Sequence, residues 1–198
     1  MEYGKHPSII LQNIFMEKPY QIQSPENAKI IFLGLDPNLD KNIENDNVLF
    51  NEFVKYFSDG IHYWNNNNVH TPMLKPIYKG DGKKYHKNFA KLGFSAKNSE
   101  DICFIELLKW FTYGKTSKNN KLFLKMVNDN ENKSHLERIR ELTNKEKIIC
   151  ISTGVRKVIN KIKLFDTFKD NIIIHTHFSD AITNYEIDNL RKKINDYL

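Results

Sequence analysis

Four short apolar runs, separated by longer amphipathic stretches, constrain the fold of this chain more than any other feature of its sequence. The runs cover residues 29–33, 102–105, 147–151 and 171–174, and each is rich in β-branched or aromatic residues. None shows the apolar–polar alternation of a strand that has one face in water. All four are therefore predicted to be strands of a sheet that is covered on both faces.

Amphipathic segments lie before, between and after these runs. A helix is predicted over residues 8–16, one helix is predicted to end at Asp59 and Gly60, and another to begin at Gly154. Strands that alternate with helices predict an α/β fold, here a single domain over residues 1–198 with three α/β/α layers and a central four-stranded, mainly parallel sheet. The apolar positions that define the helices are Leu49, Phe53, Val54 and Phe57; Leu122 and Met126; Leu136, Ile139 and Leu142; Val155, Val158, Ile159 and Ile162; and Ile187, Leu190, Ile194 and Tyr197.

The composition is that of a globular protein with a small excess of positive charge. Of the 198 residues, 40% are hydrophobic and 27% are charged, which excludes a disordered or fibrous chain. The net charge of +6 gives mild support to a polyanionic partner such as DNA.

The two cysteines, Cys103 and Cys150, each lie inside an apolar run. Two cysteines exclude a disulfide framework and any metal or iron–sulfur site built from four cysteines, and no cofactor is predicted. No run approaches the ~20 apolar residues that span a bilayer, and residues 1–7 lack the apolar stretch of a signal peptide. We therefore expect a cytoplasmic monomer with free thiols and no membrane partner.

The ends of the predicted strands carry the candidate catalytic residues, because parallel α/β sheets bind their ligands at the carboxyl ends of the strands. Asp36 follows the first strand, Glu106 the second and His175 the fourth. Each also has a structural interpretation. Asp36 would cap a turn or helix, Glu106 would pair with a lysine, and His175 would be a hydrogen-bonded histidine.

A second histidine, His177, lies two residues after His175 and would face the same side of a continuing strand. That spacing suits a metal site, which Asp36 or Asp180 could complete. Two histidines are a weak signal for a metal. A metal-dependent hydrolase that uses Asp36, His175 and His177 therefore stays an alternative.

Residues 60–64 (Gly-Ile-His-Tyr-Trp) form an aromatic segment, and residues 70–79 form a proline-containing loop that leads into a basic stretch. Aromatic rings beside lysines suit a stacked base and its phosphates, which makes Tyr63 and Trp64 candidates for stacking. The alternative interpretation is an aromatic edge of the core beside a solvated basic loop. The lysines of this stretch are Lys79, Lys83 and Lys84.

Taken in order, these segments resemble the uracil-DNA glycosylase superfamily. Residues 34–38 (Gly-Leu-Asp-Pro-Asn) are similar to its Gly-x-Asp-Pro water-activating motif, and residues 60–64 to the segment with the base-stacking aromatic. Residues 71–79 resemble its proline-rich loop. Residues 102–106 stand where the family has an apolar strand that ends in Asn, residues 149–154 resemble its strand-Gly-helix unit, and residues 172–175 stand where a strand leads into His-Pro-Ser.

The sequence also departs from the family pattern. Glu106 replaces the Asn that reads uracil, and Asn38-Leu39 follows the first motif where the family often has Tyr-His. The loop of residues 175–179 lacks both prolines of the family, and Ser179 stands at the position of the residue that wedges into the DNA stack. Phe178 would be the better wedge.

The resemblance implies a division of roles. Asp36 would hold the attacking water and stabilise positive charge on the sugar, and a neutral His175 would donate a hydrogen bond to the departing base. Backbone amides near Gly34, Ser152 and Ser179 would bind phosphates. The implied substrate-binding residues are Gly34, Leu35, Pro37, Asn38, Tyr63, Trp64 and Glu106, and the implied nucleic-acid-binding residues are Lys79, Lys83, Lys84, Ser152, His177, Phe178 and Ser179.

The sequence therefore predicts a DNA glycosylase that hydrolyses the N-glycosidic bond of a flipped damaged or mismatched base. An ionised Glu106 presents acceptors only, so it would repel the uracil oxygen and accept from an amino group. This predicts weak excision of uracil unless burial keeps Glu106 protonated. Asp36 and His175 favour an enzyme, whereas the missing prolines and Asn favour a non-catalytic nucleic-acid-binding domain on the same fold.

Overall fold

A mixed five-stranded β-sheet forms the centre of the protein in a computed structural model, which describes residues 2–196. The sheet has the order β2-β4-β3-β6-β7, and β1 pairs with β5 in a separate two-stranded ribbon. In chain order the strands are β1 (Gly4–Lys5), β2 (Tyr20–Ile22), β3 (Ile30–Gly34), β4 (Ile102–Glu106), β5 (Thr112–Tyr113), β6 (Ile148–Ser152) and β7 (Ile172–His175).

The four predicted strands are confirmed as β3, β4, β6 and β7, and neighbouring strands among them run parallel. The predicted number of strands is wrong by one, because β2 lies antiparallel to β4 at the edge of the sheet. β2 has only three residues, Tyr-Gln-Ile, which is too short for an apolar run or an alternating pattern to stand out.

Eight α-helices lie within residues 2–196, and none of them is both long and apolar enough to cross a membrane. The helices are α1 (Ile9–Glu17), α2 (Asn47–Ser58), α3 (Gly60–Asn67), α4 (Lys83–Ala90), α5 (Asn120–Val127), α6 (Lys133–Leu142), α7 (Thr153–Ile162) and α8 (Asn184–Asn195). The helical segments predicted from apolar spacing correspond to α1, α2, α5, α6, α7 and α8.

Two details of the helix prediction are corrected. Gly60 begins a further helix, α3, because the carboxylate of Asp59 caps it by accepting from the backbone N–H of His62 at 2.9 Å. In α5 the buried side chains are Phe123 and Val127, whereas Leu122 is 41% exposed. Tyr197 lies outside the described residues.

Successive residues of the central strands point into two separate hydrophobic cores. Phe32 and Phe104 pack with side chains of α1–α4 and α8, whereas Leu33 and Ile105 pack with side chains of α5–α7. Helices therefore cover both faces of the sheet, which explains the continuous apolar runs of the four parallel strands. Both cysteines are buried free thiols.

Candidate active site

The order of the parallel strands identifies one edge of the sheet as the place for a ligand. The chain passes from β3 outward to β4 and then crosses to β6 on the other side of β3. Such a reversal opens a crevice at the carboxyl ends of the strands. The register pairs Gly34 with Glu106 and Ser152 with His175, so these predicted residues lie along this carboxyl edge.

Asp36, just beyond β3, is surrounded by hydroxyl groups. Its Oδ2 accepts hydrogen bonds from the Tyr3 phenol at 3.0 Å and the Thr112 hydroxyl at 2.5 Å. Its Oδ1 accepts from the Thr116 hydroxyl at 2.8 Å, and the Asn38 amide lies 3.4 Å from Oδ2. Burial and the negative charge of Asp36 raise the pKa of Tyr3, so the phenol keeps the proton that it donates.

Glu106, at the end of β4, has the opposite environment. Its half-buried carboxyl group forms no hydrogen bond or ion pair with the residues that the structure describes, which excludes the lysine pairing considered above. Burial, and then the negative charge of Asp36, raise the pKa of Glu106 well above its usual range. The carboxyl lies over Gly34, where a Cβ atom would overlap its Oε2, so a larger residue at position 34 would displace the Glu106 side chain.

His175, at the end of β7, is neutral and has a defined tautomer. Burial lowers the pKa of His175 to about 4. Its Nδ1 lies 2.7 Å from the carbonyl oxygen of Thr176, which can only accept, so the single ring proton is on Nδ1. The Nε2 of His175 is therefore an acceptor. This corrects the expectation that a neutral His175 donates to a departing base.

His177 has the complementary tautomer. Its Nδ1 accepts a hydrogen bond from the backbone N–H of Ser179 at 3.2 Å, and burial lowers the pKa of the ring. A neutral His177 therefore carries its proton on Nε2 and can donate from that atom. The ring packs beside Tyr85, with centroids 5.3 Å apart.

The aromatic residues predicted to contact a base lie in the core, so these predictions are corrected. Tyr63 and Trp64 are each 2% exposed and pack on the buried side of α3, and Phe178 is completely buried against Phe32 and His175. A ring that stacks on a base or wedges between bases needs an open face. These rings have none. Tyr63 and Trp64 instead belong to the buried face of helix α3.

Two residues predicted to bind phosphate are occupied by the fold itself. The Lys83 ammonium donates to the carbonyl oxygens of Tyr78 at 2.7 Å and Lys75 at 3.1 Å. The Ser152 hydroxyl is buried and caps α7 by accepting from the backbone N–H of Val155 at 3.3 Å. By contrast, Lys79 and Lys84 are exposed.

The neighbours of Asp36 in its loop form contacts that hold the loop in place. Leu35 packs against the core, and the backbone carbonyl of the buried Pro37 accepts from the N–H of Thr112 at 2.9 Å. The Asn38 amide donates to the Thr112 hydroxyl at 3.0 Å and to the carbonyl of Gly114 at 2.8 Å. The loop is thereby tied to β5, and Asp36 is positioned with it.

Sequence reasoning missed the hydroxyl partners of Asp36. Tyr3, Thr112 and Thr116 lie 33, 76 and 80 residues away from it along the chain. Isolated Tyr and Thr residues carry no motif, so no signal in the sequence could have found them. They meet Asp36 because β1 and β5 pair beside the end of β3.

Within residues 2–196, no three or more His, Cys, Asp and Glu side chains lie together in an arrangement that could hold a metal ion. The placement of Asp36, His175 and His177 therefore gives no support to the metal-dependent hydrolase. The carboxyl edge presents one carboxyl group bound by hydroxyls, one buried carboxyl group with a raised pKa, and two imidazoles of opposite tautomer with lowered pKa values.

No family model, curated protein or solved structure matches this chain. The functional argument therefore depends on the geometry and chemistry of the carboxyl edge.

Proposed function

We propose that this chain is a three-layer α/β/α DNA glycosylase that hydrolyses the N-glycosidic bond of a base flipped into the crevice at the carboxyl edge. The observation that carries the proposal is the pair of carboxyl groups at the ends of β3 and β4. Asp36 is surrounded by hydroxyl donors, and burial raises the pKa of Glu106 well above its usual range. Glycoside hydrolases use a pair of this kind, a carboxylate beside a carboxyl group whose pKa is raised so that it can donate a proton.

Asp36 acts on the sugar side of the bond. As the carbon–nitrogen bond breaks, positive charge develops on the sugar, and a nearby carboxylate stabilises it. The Oδ1 of Asp36 accepts only the Thr116 hydroxyl among the described donors, so it retains a lone pair for the attacking water. The hydroxyls on Oδ2 fix the orientation of the carboxylate.

Glu106 acts on the base side. The departing base gains negative charge, and a donor directed at it lowers the barrier. The Nδ1–H of His175 already donates a hydrogen bond to the Thr176 carbonyl, so we assign to the proton of Glu106 the donor role that the resemblance implied for His175. The Nε2 of His175 is left to accept from an N–H of the base.

The protonation of Glu106 also changes the expected substrate. A protonated carboxyl presents one donor and one acceptor, as the amide of Asn does. The expectation of weak uracil excision depended on an ionised Glu106. With Glu106 protonated, the proposed substrate is a base that presents a carbonyl next to a ring N–H, a class that includes uracil.

The test is base release from oligonucleotides that carry uracil, hypoxanthine, xanthine, thymine mismatches or alkylated bases. We expect release of a base with a carbonyl beside an N–H, and a loss of 10²–10³-fold (order of magnitude) in Asp36→Asn. The matched control is Asp166→Asn, because Asp166 is an exposed carboxylate away from the crevice.

A second candidate, a non-catalytic nucleic-acid-binding domain, is favoured by the burial of Tyr63, Trp64 and Phe178, which leaves no open ring for a flipped base. Binding of the same oligonucleotides without release of any base would contradict the glycosylase and support this candidate.

A further inference from the structure

A segment without any carboxylate follows β4. Residues 107–128 contain five lysines and no aspartate or glutamate, so this segment contributes +5 to a net charge of +6. The lysines are Lys109, Lys115, Lys118, Lys121 and Lys125. Residues 75–91 carry the same net charge of +5 but include Asp81, whereas residues 107–128 present lysines alone, which favours a polyanion there.

Three of these lysines line a groove at α5. Lys121 and Lys125 are four residues apart and lie on one side of the helix, and Lys118 lies two residues before the helix begins. All three are exposed, and their ammonium groups form no ion pair or hydrogen bond with the residues that the structure describes. With the exposed Leu122 they line a groove of about 720 Å³.

A second lysine-lined cavity, of about 650 Å³, lies at the amino ends of β3, β6 and β7 and provides a contrast. There Lys29 pairs with Asp101 at 3.0 Å, and Lys147 donates to the carbonyl of Ala28 at 2.6 Å. Lys169 donates to a side-chain oxygen of an asparagine at 2.5 Å. These lysines serve the fold, whereas those of α5 are available to an external anion.

The α5 groove begins close to a residue of the candidate active site: Lys118, which lines the groove, is two residues and so at most about 7 Å along the chain from Thr116. Thr116, whose hydroxyl binds Asp36 at 2.8 Å, lies four residues before the start of α5. Lys121 and Lys125 are about 6 Å apart along the helix axis, a distance comparable to that between neighbouring phosphates of a nucleic acid strand. A strand that lies in the groove would thus have one end near Thr116, the partner of Asp36.

We infer that the α5 groove binds the phosphodiester backbone of the nucleic acid whose base enters the crevice. The identity of the ligand as a nucleic acid rests on the proposed function, whereas the choice of the α5 groove as the binding surface does not. Three free ammonium groups would neutralise phosphates and release counterions, and Leu122 would contact a sugar or base. The occupant is a nucleic acid strand, not an anionic membrane or an acidic protein.

The test compares two triple variants with the same loss of charge. One is Lys118→Gln, Lys121→Gln, Lys125→Gln; the control is Lys145→Gln, Lys161→Gln, Lys193→Gln, at exposed positions near the opposite edge of the sheet. Gln has nearly the helix propensity of Lys, so both variants should fold, which circular dichroism checks. Binding to a fluorescent duplex is measured at several salt concentrations.

We expect the α5 variant to bind about tenfold more weakly or worse near 0.1 M salt, with the slope of log affinity against log salt reduced by about 2 to 3. The control should lose less than about threefold, because it changes only the overall charge. Equal losses in the two variants, or no loss in the α5 variant, would overturn the inference. So would α5-dependent binding to phosphatidylserine vesicles or polyglutamate without binding to DNA.

Base release by the wild-type chain is scored separately. If no base is released but binding falls only in the α5 variant, the proposed glycosylase is wrong and the interface stands. If base is released and the two variants bind alike, the glycosylase stands and the α5 interface is wrong.

Discussion

The ends of β3 and β4 carry the same chemical group in opposite surroundings. At the end of β3, the carboxylate of Asp36 accepts hydrogen bonds from three hydroxyl groups. At the end of β4, the carboxyl group of Glu106 is buried near the negative charge of Asp36 and has no hydrogen-bond donor among the described residues. Two adjacent strands of one sheet thus present a hydrogen-bond acceptor and a proton donor. The comparison teaches that the surroundings of a carboxyl group decide its role.

The strongest test of this contrast is the replacement of the proton donor. Glu106→Leu removes the donor and should lower base release by about 100-fold or more. Glu106→Gln keeps one donor and one acceptor and should retain most of the wild-type rate. The measurement is single-turnover release of the preferred base. Equal rates in the Leu variant and the wild type would show that Glu106 does not touch the reacting base.

The pH dependence of base release sharpens the contrast. Below about pH 4, His175 gains a proton and its Nε2 no longer accepts, so the rate should rise as pH increases through that value. As pH rises through the elevated pKa of Glu106, the donor is lost and the rate should fall. In Glu106→Gln the alkaline fall should disappear while the acid limb stays. An unchanged alkaline limb in that variant would assign it to another group.

A smaller effect is expected from weakening the hydroxyl shell of Asp36. Tyr3→Phe removes one of the donors to Oδ2, loosens the carboxylate, and should lower base release by about tenfold and stability by about 1 kcal/mol. Tyr185→Phe is the matched control, because Tyr185 is 75% exposed. If the two variants lowered the rate of base release equally, Tyr3 would have no specific role in positioning Asp36.

The strands of this fold were predictable for a physical reason. β3, β4, β6 and β7 are buried on both faces, so each leaves a continuous apolar run in the sequence. β2 and α4 leave no such signal. β2 has three residues, and α4 buries only His86 and Phe89 among polar and basic neighbours.

The candidate site was predictable only in its positions. Asp36, Glu106 and His175 follow from the rule that ligands bind at the carboxyl ends of parallel strands. Their chemical states do not, because the protonation of Glu106 depends on burial and the tautomer of His175 depends on one backbone carbonyl. For Tyr63 and Trp64 the predicted role itself was wrong. In sequence, aromatic residues on a buried helix face cannot be told from aromatic residues that stack on a base.

A further expected effect is on stability alone, and it separates the burial of Glu106 from its catalytic role. The folded state holds the proton of Glu106 above the pH at which the unfolded chain, with a pKa near 4.5, releases it. Between those two pKa values the folded state binds more protons than the unfolded state, so Glu106 makes stability fall as pH rises. The fall amounts to about 1.4 kcal/mol for each pH unit within that window. Glu106→Gln cannot ionise. The free energy of unfolding of the variant should therefore rise relative to that of the wild type from pH 4.5 upward, and the two values should be closest below pH 4.5.

Urea unfolding at several pH values measures the difference. Glu44→Gln is the control, because Glu44 is exposed and should leave the pH dependence unchanged. A difference between Glu106→Gln and the wild type that does not grow above pH 4.5 would show that Glu106 is ionised in the folded protein. The crevice would then present only acceptors at that position, and the preference for a base that bears an amino group would be restored.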